Sequence, residues 1–202
     1  MHSFPTDRDK KTFREILERH LSPREIRDRS RRPYRKLFDE VEVIAVNVLD
    51  NHYHLVILQK RPGGLYRLMK SILTAYGHYF NGEHGRRAQI FESPYSVRIA
   101  EDHDDVRGLI EYVHGQHEVL GLKYEFSSHI EYVGARRSDW ISIEIGLRLY
   151  PSLGAYQRAA ERKAFEMSQL RPEQRLLEPL PKRRALRRGR GSHVLPPPRF
   201  ER

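Results

Sequence analysis

Hydrophobic positions along this chain follow two different periods. In residues 7–21, DRDKKTFREILERHL, the residues Phe13, Ile16, Leu17 and Leu21 recur at helical spacing. That spacing gathers them on one stripe and predicts an amphipathic helix. Residues 22–36, SPREIRDRSRRPYRK, lose the stripe and contain Pro33, so a loop or a second short helix is expected there. VEVIAVNVL (41–49) and HYHLVILQ (52–59) are β-branched, apolar runs and predict two antiparallel strands joined by a turn at Asp50 and Asn51. Both runs are apolar on both faces, so the strands should be central in a covered sheet.

After Pro62-Gly63-Gly64 the helical period returns. Leu65, Leu68, Met69, Ile72, Leu73, Tyr76, Tyr79 and Phe80 predict a helix over 65–81, with Tyr76 and Tyr79 in the core. NGEHGRR reads as a turn, Tyr95–Ile99 as a short strand, and DHDD as a cluster of acids at a helix N-terminus. The helix that follows, 106–121, should pack through Val106, Leu109, Ile110, Val113 and Leu120 and stop at Gly121. A last helical pattern covers about 152–167, and there is no internal repeat. Helix, strand, strand, helix, short strand, helix makes an α+β, ferredoxin-like two-layer sandwich the expected architecture. A length of 202 residues suits one domain, over 1–168, followed by a tail, 169–202.

Composition narrows the class. No apolar run approaches the roughly 18 residues of a membrane span, so no membrane partner is expected. The start, MHSFPTDRDKK, lacks the apolar stretch of a secretory signal, and cysteine is absent. A cytoplasmic location, nucleoid-associated in a bacterium, is the resulting expectation. The formal net charge of +10 points to a polyanion, nucleic acid before an acidic membrane surface. Much of it lies between Pro179 and Arg202, where Lys182, Arg183, Arg184, Arg187, Arg188, Arg190, Arg199 and Arg202 face only Glu201. With Pro196-Pro197-Pro198 and few apolar residues, this tail reads as a disordered basic arm that contacts phosphates in a salt-dependent way.

The stretch NHYHLVILQ adds a chemical possibility. Residues two apart on a strand point the same way, so His52 and His54 share a face and Tyr53 takes the other. Two neutral imidazoles begin a divalent-cation site or are simply structural; a site needs a third donor from another element. On the 106–121 helix Tyr112 and Gln116 are four apart, hence on one face, which Gly108 leaves bare a turn earlier. In one reading the Gln116 amide oxygen completes a His, His, Gln set. In the other, Tyr112 is a boundary residue against the sheet and Gln116 is solvated.

NHYHLVI resembles the His-hydrophobic-His signature of the HUH endonucleases. The region from about Phe4 to Tyr132 is similar to insertion-sequence single-tyrosine transposases and the REP-associated tyrosine transposases. The likeness is carried, in order, by DRDKKTF, NVLDNHYHLVI, LMKSILTAYGHYFNGEHGRRAQIF, LIEYVHGQHEVLG and YEFSSHIEYVG. The resemblance implies a ferredoxin-like core, a Mg2+ or Mn2+ ion on His52, His54 and Gln116, and Tyr112 as the nucleophile. The implied activity is DNA transposition: cleavage and rejoining of single-stranded DNA, with or without a flanking hairpin, through a 5′-phosphotyrosine. It also implies a homodimer in many relatives. Lys60, Arg67, Lys70, Arg86, Arg87 and Arg98 are candidate DNA-backbone contacts.

The sequence departs from that pattern at three places. The family opens with a strand and an arginine-containing turn, whereas here DRDKKTF comes almost first, so that strand is expected to be missing or very short, exposing a sheet edge. Gln116-His117 stand where many relatives have Asn-Pro, and Ser93-Pro94 stand where a basic residue is common. Two rivals follow: a non-catalytic or domesticated nucleic-acid-binding relative, and a replication initiator or relaxase, which normally has a longer chain.

Overall fold

The computed structural model describes residues 3–86, 89–91, 95–119 and 124–169, with side chains described for all of these except 117–119 and 124. Arg87, Gly121 and the basic tail beyond Gln169 lie outside the described residues. The chain is mixed α+β, with an antiparallel hairpin, β1 (Val41–Val48) and β2 (Tyr53–Gln59), packed among the helices. The helices are α1 (Asp7–Leu21), α2 (Gly64–Glu83), α3 (His103–Val119), α4 (His129–Tyr132), α5 (Ile143–Leu147) and α6 (Leu153–Ser168), with a 3₁₀ turn at Tyr124–Phe126.

The predicted helix α1 forms where its stripe lies. Its start is secured by a capping box, Thr6 and Asp9 bonding each other's backbone N–H groups. Phe13, Ile16 and Leu17 are fully buried, as are Leu68, Ile72 and Tyr76 of α2. These helices pack on one face of the hairpin, against Val41, Val43, Val46 and Val48. A bulge between Val43 and Ala45 lets both 43 and 46 face this cluster, since an inserted residue shifts the alternation by one. Tyr76 and Tyr79 take the core-side places expected of them. The Tyr76 hydroxyl donates to the Ser3 carbonyl at 2.7 Å and that of Tyr79 to Asp9 at 3.1 Å.

The other face of the hairpin carries Ile44, Ala45 and Val56, which pack with Ile110 and Val113 of α3 and with Tyr156, Ala159 and Ala160 of α6. The hairpin therefore lies between two helical layers. β1 is the central strand: its far edge makes single bridges to Ile141 and Ser127. β2 is less covered than its apolar sequence suggests, with Leu58 exposed and Gln59 at its open end. No further strand pairs with it among the described residues.

Two details depart from the sequence expectation. Residues 95–100 are irregular rather than a strand; Val97 and Ile99 are more than half exposed and so lack the covered face that would hold a strand in place. α3 begins earlier than expected, at His103, where the Asp102 carboxylate accepts the Asp105 N–H at 2.8 Å. Of the two alternatives for residues 22–36, the loop is the one found. A buried ion pair from Arg14 to Glu131, 2.9 Å, ties α1 to the short helix α4.

Candidate functional site

The strand pairing sets out the site. His54 lies on β2 directly opposite Asn47 of β1, and cross-strand partners project to the same face. That face looks toward α3. Asn47 is fully buried, and its Nδ2 donates to the Val113 carbonyl at 2.8 Å. One side chain thus sets the height of α3 against the strand that carries His54. On its other side α3 approaches α6 through Gly115, where a Cβ would stand 3.2 Å from the Ala164 nitrogen, tighter than nearly all real contacts. Any side chain at 115 would push the two helices apart by a few tenths of an ångström.

Held this way, α3 turns Gln116 and Tyr112 toward the histidines. The Gln116 amide Nε2 donates to His54 Nε2 at 3.1 Å. The Tyr112 ring stands edge-on to His54 with centroids 5.5 Å apart, and the rings of His52 and His54 are 4.8 Å apart. Gln116 is buried and Tyr112 half-buried among apolar neighbours. The four residues singled out from the sequence meet in one place.

Protonation follows from these partners. His52 Nδ1 donates to Asn51 Oδ1 at 2.6 Å, which leaves its Nε2 as a bare lone pair. His54 Nε2 accepts from Gln116 and is likewise unprotonated. Burial pushes the pKa of His52 down from its ordinary 6.5, with Gln116 acting in the opposite direction. For His54 burial does the same, reinforced by the neighbouring His52, and lowers the value to about 3. Both rings are therefore neutral at physiological pH and present Nε2 lone pairs.

This donor set fits a divalent cation. Two neutral imidazoles offer nitrogen, and rotation of the Gln116 amide exchanges its N–H donor for an oxygen. The Asn47 Oδ1, on the same face, is buried with no hydrogen-bond partner. Among the described residues no group of three or more His, Cys, Asp or Glu side chains converges to hold a metal.

The candidate DNA contacts are not gathered at this site. Lys60 pairs with Glu42 at 2.8 Å and Arg67 with Glu40. From His54 to Lys60 the strand runs six residues, about 20 Å, so these two residues lie at the opposite end of the hairpin, and Lys70 is exposed on α2. Arg98 is paired with Asp105, and its second guanidinium nitrogen is buried without a partner. Arg86 is exposed just beyond α2, and Arg87 is outside the described residues.

Sequence reasoning missed Asn47 and Asn51, although a lone asparagine inside an apolar strand is itself a signal of a buried polar contact. It also missed a polar network behind α3. His114 Nε2 is hydrogen-bonded to Ser128 Oγ at 2.7 Å and its Nδ1 to the Tyr156 hydroxyl at 2.9 Å, while His129 Nδ1 meets the same hydroxyl at 2.6 Å. His114 and His129 line a cleft of about 310 Å³ with Gln157 and Glu161. None of His52, His54, Tyr112 or Gln116 borders that cleft.

No helix among the described residues is long and apolar enough to cross a membrane. No protein-family model matches the chain, and neither a curated protein nor a solved structure matches it.

Proposed function

We propose that this protein cleaves and rejoins single-stranded DNA as a single-tyrosine strand transferase of the HUH type. The observation that supports this reading is the convergence on His54: Gln116 hydrogen-bonds its ring at 3.1 Å while Tyr112, one helical turn away, places its own ring beside it. Elements far apart in sequence bring a pair of neutral nitrogen donors, an amide and a phenol to one point. A purely structural histidine pair has no need of a phenol and an amide from a facing helix.

In this reading His52, His54 and Gln116 hold a Mg2+ or Mn2+ ion. Bound there, the cation supplies Lewis-acid neutralisation of the scissile phosphate. Because the three ligands carry no charge, none of the cation's charge is spent on the protein. Asn51 keeps His52 in the tautomer that presents Nε2, a second layer of support typical of metal-binding histidines. Asn47 holds α3 at the height that keeps Gln116 and Tyr112 in reach of His54.

Tyr112 is the nucleophile. Its phenolic oxygen forms a bond to phosphorus, the bond from phosphorus to the 3′ oxygen breaks, and the phenol's proton ends on the released 3′ hydroxyl. The product is a 5′-phosphotyrosine, and one phosphoester has replaced another. Attack by a 3′ hydroxyl on that ester reverses the step, so rejoining needs no ATP. A single strand suits the site because its phosphates reach a recessed tyrosine more readily than those of a duplex.

The direct test is incubation of the protein with a pool of single-stranded DNA and Mn2+, followed by mapping of any covalent adduct. An adduct on Tyr112 supports strand transfer. Tight DNA binding with no adduct on any residue would leave the non-catalytic reading in its place.

A further inference from the structure

The loop after α1 carries a structured arginine tip that the site does not use. Its backbone closes as a small hairpin: the Tyr34 N–H donates to the Ile26 carbonyl at 3.0 Å and the Asp28 N–H to the Arg32 carbonyl at 2.8 Å. Inside it, the Asp28 carboxylate accepts the N–H groups of Ser30 and Arg32 at 2.8 and 2.9 Å, and the Asp28 carbonyl accepts the Arg31 N–H at 2.9 Å. Arg31 has φ +61°, completing the three-residue hairpin loop whose last position is left-handed. Glycine or asparagine is the usual occupant there. Here the position holds an arginine.

The basic groups of the segment divide into two sets. Arg24 is paired with Glu18 and Asp139, Arg27 with Glu25, and Arg35 with Glu40. Arg29, Arg31 and Arg32, at the tip, are exposed, and no side-chain ion pair or hydrogen bond is formed by any of them among the described residues. The acid within the turn, Asp28, is spent on the backbone. The fold therefore presents three uncompensated guanidiniums on a rigid support.

We propose that residues 26–34 are a docking tip for the phosphate backbone of duplex DNA. Guanidiniums match phosphates with paired N–H donors, and the turn holds them in a fixed spacing. Binders of single strands add aromatic platforms for unstacked bases. The one aromatic of this segment, Tyr34, is already covered by the Arg19 guanidinium, 5.1 Å from its ring, and by His20. The tip thus offers charge without a stacking surface, which favours a paired stem over a loose strand. Through residues 35–40 the segment leads into the start of β1 at Val41, which lies about 20 Å along the strand from the position opposite His54, or roughly six base-pair rises of 3.4 Å. A stem held here would leave its flanking single strand free to reach Tyr112. The inference rests on the nucleic-acid part of the proposed function and not on cleavage.

The test compares full-length protein with the triple variant Arg29→Gln, Arg31→Asn, Arg32→Gln, the asparagine chosen because it tolerates the left-handed turn. Binding is read by fluorescence anisotropy in EDTA, on uncut stem-loop DNA and on oligothymidylate, between about 50 and 200 mM salt. For the stem-loop, the slope of log affinity against log salt should be shallower by about 2–3, at roughly 0.9 for each phosphate no longer neutralised; oligothymidylate binding should change little. An unchanged stem-loop slope overturns the proposal, and an equal loss on both probes overturns the duplex assignment. Asp28→Ala gives a second reading, since it adds positive charge but frees the turn. Weaker stem-loop binding supports a rigid tip, and tighter binding overturns it. Because no strand is cut in these assays, a missing Tyr112 adduct would fault the cleavage reading alone.

Discussion

Gln116 and His54, from a helix and a strand separated by 62 positions in the chain, are joined side chain to side chain at 3.1 Å. The bond fixes which nitrogen of His54 is unprotonated, and with His52 oriented by Asn51 it sets two unprotonated nitrogens on one face of the sheet. The imidazole pair is thus oriented by its protein neighbours alone.

Cation binding should follow from that preorganisation. Calorimetric titration should give a single Mn2+ site, tighter than the Mg2+ site, since imidazole suits manganese better than magnesium. His52→Ala or His54→Ala should abolish it. Asn51→Ala should weaken it by about 10–100-fold by releasing the His52 tautomer, and an unaltered affinity would remove Asn51 from the supporting layer.

Tyr112→Phe should eliminate the covalent adduct and leave DNA affinity within about twofold, because it deletes one hydroxyl and keeps the ring packed beside His54. The measurement is adduct formation on a gel beside anisotropy with the same oligonucleotide. A variant that still forms the adduct would discard Tyr112 as nucleophile.

Stability should depend on pH through the buried imidazoles. The pKa of His54 falls from 6.5 to about 3 on folding, so between those values the unfolded chain binds a proton that the folded chain does not. His54's contribution should be complete above about pH 6.5 and lost as pH falls toward 3. His52, His20 and His129 are lowered by burial as well and act in the same direction. Urea midpoints across this range should decline toward acid, and less steeply in His54→Gln. Parallel profiles for the two proteins would contradict the assignment.

Asn47→Ala should cost about 0.5–1.5 kcal/mol, because it deletes the buried hydrogen bond from β1 to the Val113 carbonyl of α3. Through the same bond it should loosen α3 against β2 and lower Mn2+ affinity although Asn47 is not among the assigned ligands. Urea unfolding and calorimetry on one preparation test both effects. A stability loss with Mn2+ affinity intact would confine Asn47 to the core.

Periodicity alone located α1, both strands, α2 and α6, because each buries an apolar stripe or run long enough to show its own period. Spacing also placed His52 with His54, and Tyr112 with Gln116, on single faces, since those relations are local to one strand and one helix. Periodicity failed for 95–99, where an apolar alternation finds no partner strand among the described residues, and for the short helices after residue 124, which are too brief to display a period. The meeting of the two pairs was a matter for tertiary structure. It depends on the Asn47 bond to Val113, on Gly115 admitting α6, and on the bulge that sets the faces of β1. The same holds for charge. The chain declares an excess of arginine, but only folding decides that Arg67 and Arg98 are neutralised by carboxylates while Arg29, Arg31 and Arg32 are left facing water, because ion pairing is set by distance in space and not by order along the chain.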